Sequence, residues 1–181
     1  MPAPETGETR VHGTLVEVAG VGVLLLGQSG IGKSECAVEL VVRGFRFVAD
    51  DVVLLHRRES GELIGEGPEI VRHHVELRGI GIVHLPGLFG PQCVADRTPV
   101  DLIVELEPWG RGEVERVGLE RPTHELVGVE VPCVRLPVAP GRNIAALVEV
   151  AAREFRRRQG GSTAARALDD RIHESLKRGA S

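Results

Sequence analysis

The stretch GQSGIGKSE, residues 27–35, decides the fold; it follows directly on the apolar run Val21-Gly22-Val23-Leu24-Leu25-Leu26. Gly27–Ser34 fits the pattern G-x-x-x-x-G-K-[ST], with a strand-like run before it and helical spacing after it. The chemistry of phosphate binding demands each residue type. Glycines let backbone N–H groups converge on phosphate oxygens with no Cβ in the way. The helix N-terminus adds partial positive charge and unsatisfied donors. Lysine reaches β- and γ-phosphates as a compact point charge on a flexible stem, which a planar guanidinium is not. That explains an oddity of composition: of 22 Lys and Arg residues, only Lys33 and Lys177 are lysine. A serine hydroxyl at position 34 suits Mg²⁺. Gly27, Gln28, Ser29, Gly30, Ile31, Gly32, Lys33 and Ser34 are therefore read as a nucleotide loop.

Around this loop the bulk properties narrow the choices. The 181 residues suffice for one domain with a genuine core, and 42% hydrophobic with 27% charged residues is ordinary globular composition. A net charge of −4 argues against a general nucleic-acid binder. No apolar run approaches the length needed to span a bilayer, and the start MPAPETGETR has no signal-peptide core. Cys36, Cys93 and Cys133 are far apart and form no CxxC pair, so they read as reduced core thiols of a cytoplasmic protein. The other lysine, Lys177, precedes Arg-Gly-Ala rather than standing in an NKxD-type motif, which disfavours a guanine-specific switch.

Residues 1–10 read as a disordered leader and 11–158 as the folded domain. Val11–Ala19 alternates as a strand, and Ala19-Gly20 turns it back into Val21–Leu26. With Val18 facing Val21, His12 falls opposite Gly27, beside the mouth of the glycine loop. Lys33–Arg43 has helical spacing and Gly44 a left-handed stop. Strands are expected at Phe45–Ala49, Val52–His56, Val71–Leu77, Ile80–Leu85, Leu102–Leu106 and Val131–Leu136, with Gly87–Pro99 loop-rich. A helix over Asn143–Arg158 ends at Gln159-Gly160-Gly161-Ser162. A second helix, carrying Leu168, Ile172 and Leu176, forms a C-terminal extension over 159–181. The order of elements predicts a single α/β domain with a mixed β-sheet.

Several side chains are candidates for chemistry, each beside a plainer reading. Asp50-Asp51 ends a strand soon after the loop helix, where a P-loop protein carries a magnesium-binding or hydroxyl-activating carboxylate. Adjacent residues on a strand point opposite ways, so at most one faces the phosphate unless the strand has ended; the plainer reading is a solvated turn. His12 is either structural or at the loop mouth, and Glu76 either a carboxylate ligand or the polar face of a strand. His73, His74 and His84 lack zinc-motif spacing. Arg142 could aim at phosphate from the loop before a helix that Asn143 caps. The run Arg153–Arg158 reads as a solvated helix end that complements the dipole.

Taken together, VHGTLVEVAGVGVLLLGQSGIGKSE, RGFRFVADD, VELRGIGIVHLPGLFG and PVAPGRNIAALVEVAAREFR resemble the catalytic domain of bacterial HPr kinase/phosphorylase, from about Val11 to Arg158. The resemblance implies a P-loop kinase core related to that of phosphoenolpyruvate carboxykinase. It implies transfer from ATP with Mg²⁺ to a serine of the small phosphocarrier HPr, and phosphorolysis of that phosphoserine by inorganic phosphate with release of pyrophosphate. In those terms Lys33 is catalytic, Ser34 and Glu76 hold magnesium, and His12 is the active-site histidine. Asp50 and Asp51 form the acidic pair, with Asp51 the proton acceptor, and Arg116 in ERVGLE aligns with the catalytic arginine. Val75–His84 matches the segment tied to both reactions, and Pro137–Arg142 the loop tied to dephosphorylation. The family has an arginine where Ala139 stands and commonly an acidic residue where Gln28 stands. Its separate N-terminal domain has no counterpart in this sequence; its assembly is a homo-oligomer, a hexamer. Two other readings of the same core are a small-molecule kinase and a nucleotide-binding regulatory module without catalysis.

Overall fold

The computed structural model describes residues 8–110 and 122–160. The expected second C-terminal helix lies outside these residues, as do most of the expected leader and Arg116. The frame is a mixed six-stranded sheet of order β11-β12-β10-β3-β2-β4. Its members are β2 (Thr14–Val18), β3 (Val21–Leu26), β4 (Arg46–Ala49), β10 (Leu102–Pro108), β11 (Thr123–Leu126) and β12 (Val129–Val138). Strands β3, β10 and β12 are parallel, and β2 forms the expected hairpin with β3, Val18 facing Val21.

Strand β3 lies inside the molecule, and its unbroken apolar run follows from that, because both of its faces are covered. Val23 and Leu25 point to one side, where they pack with Cys36, Ala37 and Leu40 of helix α1 (Lys33–Val42) and Val148 and Ala152 of α3 (Ile144–Gln159). Leu24 points to the other side, with Leu15, Ile103, Val53 and Leu55. The period of two along the strand thus divides the core into two layers. Buried Cys36 is held as a thiol, its pKa pushed up to about 12 chiefly by burial.

The second layer is an antiparallel sheet of order β1-β5-β6-β9, made by β1 (Thr9–His12), β5 (Val52–Arg57), β6 (Leu63–Glu66) and β9 (Arg97–Pro99). The mixed sheet is the expected one, and this antiparallel sheet is an addition to it. Its edge strands β1 and β9 are short and polar, and β9 ends in proline, so they carry no apolar alternation to read. Thr9 and Arg10, expected in the leader, belong to β1. The expected strand Val11–Ala19 is split at Gly13, where the chain leaves one sheet for the other. The hairpin β7 (His74–Leu77) with β8 (Gly81–His84) stands apart. It is shorter than expected: Glu69–Val71 forms a 3-10 turn and Leu85 opens the short helix α2 (Leu85–Phe89). The stretch expected as loop therefore holds α2, a further 3-10 turn and β9. Among the described residues no helix is long and apolar enough to cross a membrane.

The two layers meet most tightly at Gly22. A Cβ there would fall 1.6 Å from the Pro99 carbonyl oxygen, while Gly22 N–H donates to Asp101 Oδ2 at 2.8 Å. Gly22→Ala must push β9 off β3 or distort the central strand. We expect it to cost about 1–3 kcal/mol, the range for overpacking. A denaturant midpoint unchanged from wild type would contradict the tight contact.

Candidate active site

Between β3 and α1 the chain runs as a loop whose glycines answer for its sequence. Gly27, Gly30 and Gly32 take φ of 144°, 79° and 105°, where side chains are strained. A Cβ on Gly27 would also lie 2.6 Å from the Leu106 carbonyl oxygen, and one on Gly30 2.8 Å from the Arg78 guanidinium. Gly32 caps α1 without any side-chain hydrogen bond, so the first N–H groups of the helix face the cleft with no protein side chain capping them.

The acidic pair sits across the cleft because β4 ends at Ala49. The alternation of a strand no longer applies, and both carboxylates line the cleft. Their surroundings differ. Asp50 accepts from Thr14 Oγ1 at 2.6 Å through one oxygen and from Ser34 Oγ at 2.8 Å through the other. Asp51, at φ 66°, projects a carboxylate that is 77% exposed and lies 3.0 Å from His12 Nδ1.

His12 reaches this place by a route that differs from the expected one. The hairpin register stops at Thr14 facing Leu25, and His12 pairs instead with Val52 in the other sheet. Its Nε2 lies 3.5 Å from Lys33 Nζ. An ammonium only donates, and a carboxylate only accepts. The partners therefore place a proton on Nδ1, donated to Asp51, and turn Nε2 toward Lys33.

Lys33 is 6% exposed and donates to the Gly27 carbonyl at 2.8 Å and the Gln28 carbonyl at 3.2 Å. Burial lowers its pKa, an effect that the charges of Asp50 and Asp51 oppose. The cleft has a volume of about 320 Å³ and is lined also by Ser29, Glu35, Glu76 and Arg78. Arg78 was not singled out from sequence, although it stands in the quoted segment VELRGIG beside Glu76. Arg78 stands in the turn that follows β7, one residue past its end at Leu77, and no strand or helix period in the sequence marks it for the cleft. Arg142 does not line this cleft: its guanidinium carbon lies 5.5 Å from the ring centroid of Trp109.

The donor set suits a hard divalent cation. Ser34 Oγ and the Asp50 carboxylate are adjacent, and Glu76 lines the same cleft. Among the described residues no three His, Cys, Asp or Glu side chains converge as a metal cage. Mg²⁺ needs none, since it is held by one or two carboxylates together with substrate phosphates.

The family model described as HPr Serine kinase C-terminal domain matches residues 5–172. The HPr kinase/phosphorylase of Caldicellulosiruptor bescii is 50% identical over 169 residues, covering 93% of this chain and 54% of that protein. That of Geobacter sulfurreducens is 42% identical over 165 residues, covering 91% of this chain and 52% of that protein. The chain thus spans about half the length of the curated relatives it matches. Among solved structures, the Hpr(Ser) kinase/phosphatase from Coxiella burnetii matches with a TM-score of 0.79 at 31% identity, over 91% of this chain and 97% of that one.

The depressed pKa of Lys33 carries a stability consequence. The folded state holds the charged form less well than the unfolded chain, whose lysine titrates near the ordinary 10.5. The penalty is complete below the folded pKa and fades as pH rises from there to the unfolded value. Lys33→Met should therefore raise the melting temperature of the nucleotide-free protein near pH 7, by a margin that shrinks toward pH 10. Thermal scans showing an equal or lower melting temperature at neutral pH would contradict this.

Proposed function

The chain belongs to the HPr serine kinase C-terminal domain family, and from that membership we propose that it transfers the γ-phosphoryl group of ATP to a serine of an HPr-like phosphocarrier protein. The single observation that carries the reading is the convergence of Lys33, Ser34, Asp50, Asp51 and His12 on one cleft at the uncapped start of α1. A protein substrate, rather than a small metabolite, is favoured by Asp51. Its carboxylate is 77% exposed, within reach of a hydroxyl on another protein's surface.

The residues divide the work. The loop N–H groups and Lys33 hold the β- and γ-phosphates, replacing the carbonyl contacts that Lys33 makes in the nucleotide-free protein. Asp51 takes the proton of the attacking serine hydroxyl while the new O–P bond forms in line with the breaking bond to ADP. His12, donating Nδ1–H to Asp51, fixes the direction of that carboxylate. Ser34, Asp50 and Glu76 would hold Mg²⁺, which when bound neutralises charge on the transferring phosphates. Arg78 supplies a further cation at the cleft.

The same groups serve the reverse traffic implied by the names of the relatives, HPr kinase/phosphorylase. An oxygen of inorganic phosphate attacks the phosphoserine phosphorus, and protonated Asp51 returns its proton to the departing serine oxygen. The products are serine and pyrophosphate. Ala139 stands where the family pattern has an arginine, so the loop before α3 offers inorganic phosphate one cation fewer and phosphorolysis is expected to be slower than transfer.

The test is transfer of label from γ-labelled ATP, with magnesium, to a purified HPr-type carrier and its Ser→Ala variant. Label on the wild-type carrier alone is expected; ATP binding without label would overturn the kinase reading. In the same assay Asp51→Asn should bind nucleotide and lose roughly 10²–10⁴ in turnover. Near wild-type turnover would remove Asp51 from the role of base.

A further inference from the structure

His12, Asp50 and Asp51 stand where the chain leaves β1 and β4, on the β2–β4 side of the glycine loop, which leaves the opposite side for the far end of a nucleotide seated there. On that side β10 and β12 run parallel to β3, with Glu105 beside Leu26 and Pro108 beside Val138. Ligands of α/β sheets lie outside the carboxyl ends of such strands. The loop touches β10 closely, since a Cβ on Gly27 would meet both the carbonyl oxygen and Cβ of Leu106. Trp109 follows three residues later, about 10 Å along an extended chain, on the scale of the phosphate-to-base span of an extended nucleotide.

Trp109 does not behave like a residue placed for packing. It is 60% exposed although indole is the largest apolar side chain in the chain. It is nevertheless held in place. Its backbone N–H donates to the Val138 carbonyl at 3.1 Å, tying the end of β10 to the end of β12. Arg142 covers the ring, 5.5 Å from its centroid. The loop that carries Arg142 is itself fixed, because Asn143 caps α3 through Ala146 N–H at 2.8 Å and donates to Glu39 of α1 at 2.9 Å. A solvent-facing aromatic ring on an anchored backbone, backed by a guanidinium, is a stacking surface for another π-system.

We propose that Trp109, backed by Arg142, is the platform on which the base of the bound nucleotide stacks, at the ends of β10 and β12 beside the glycine loop. This rests on the nucleotide reading of that loop. It gives Arg142 a positioning role at the base rather than a place at the transferring phosphate. Stacking is tolerant of the base, so the platform adds affinity for purine nucleotides without selecting adenine by hydrogen bonds.

The sequence supplies the probe, since Trp109 is the only tryptophan and there is no tyrosine. Intrinsic emission therefore reports this ring. With magnesium, ADP should change the emission on binding. Pyrophosphate, which fills the phosphate cradle but has no base, should compete with ADP and leave the emission unchanged. By calorimetry, Trp109→Ala should weaken ADP by roughly 5- to 100-fold and leave pyrophosphate affinity as it was, while Trp109→Phe keeps most of the ADP affinity. The exposed position makes these variants mild for folding. Unchanged ADP affinity in Trp109→Ala would overturn the platform and leave the nucleotide reading standing. Equal losses for ADP and pyrophosphate would also overturn it, as damage to the cradle. Failure of wild-type protein to bind ADP at all would overturn the nucleotide reading, and the platform with it.

Discussion

The site depends on one backbone constraint: two chain segments cross between the two sheets at the same point. Between β1 and β2 the crossing is at Gly13; between β4 and β5 it is at Asp50-Asp51. The Gly13 N–H donates to the Asp51 carbonyl at 3.2 Å and joins them. Gly13 has no room for a side chain, since a Cβ would stand 2.8 Å from the Leu25 carbonyl oxygen. The residues flanking these crossings are His12, Thr14, Asp50 and Asp51, and all four make contacts in or beside the cleft. Their convergence follows from the way the layers are connected.

The crossing also gives two neighbouring carboxylates different surroundings. Asp50 stays on the side of the large sheet and has both oxygens engaged by hydroxyls, those of Thr14 and Ser34. Asp51 turns outward at a left-handed φ that costs a non-glycine residue energy. In return it gains exposure and the imidazole N–H of His12. An acceptor with a free, directed lone pair suits proton transfer, whereas an acceptor locked beside a serine hydroxyl suits a cation. In the same cleft stands Lys33, a buried cation whose charge both carboxylates favour and burial opposes. The fold thus holds a destabilising lysine, which the proposed phosphate site would account for as stability given up to function.

Much of this was legible in the sequence because it is local. The strand–loop–helix from Val21 to Val42 is set by an apolar run, three glycines at positive φ and helical spacing. The hairpin register followed from the turn at Ala19-Gly20. The small sheet was not legible, because β6 and β9 pair residues far apart in sequence through short strands without alternation. His12 illustrates the limit. Its position beside the loop was anticipated from a register that the structure ends at Thr14, and it arrives there through pairing with Val52. Arg78 and Trp109 were missed for a related reason: each gains its meaning from a neighbour that only the folded chain supplies, Gly30 for one and Arg142 for the other.

The division of labour between Asp50 and Asp51 is the central claim. Calorimetric titration with ADP, with and without Mg²⁺, of the wild type and of Asp50→Asn and Asp51→Asn tests it most directly. The account predicts that magnesium strengthens binding to the wild type and to Asp51→Asn, and that Asp50→Asn loses most of this gain. Equal magnesium dependence in all three proteins, or its loss in Asp51→Asn alone, would contradict it.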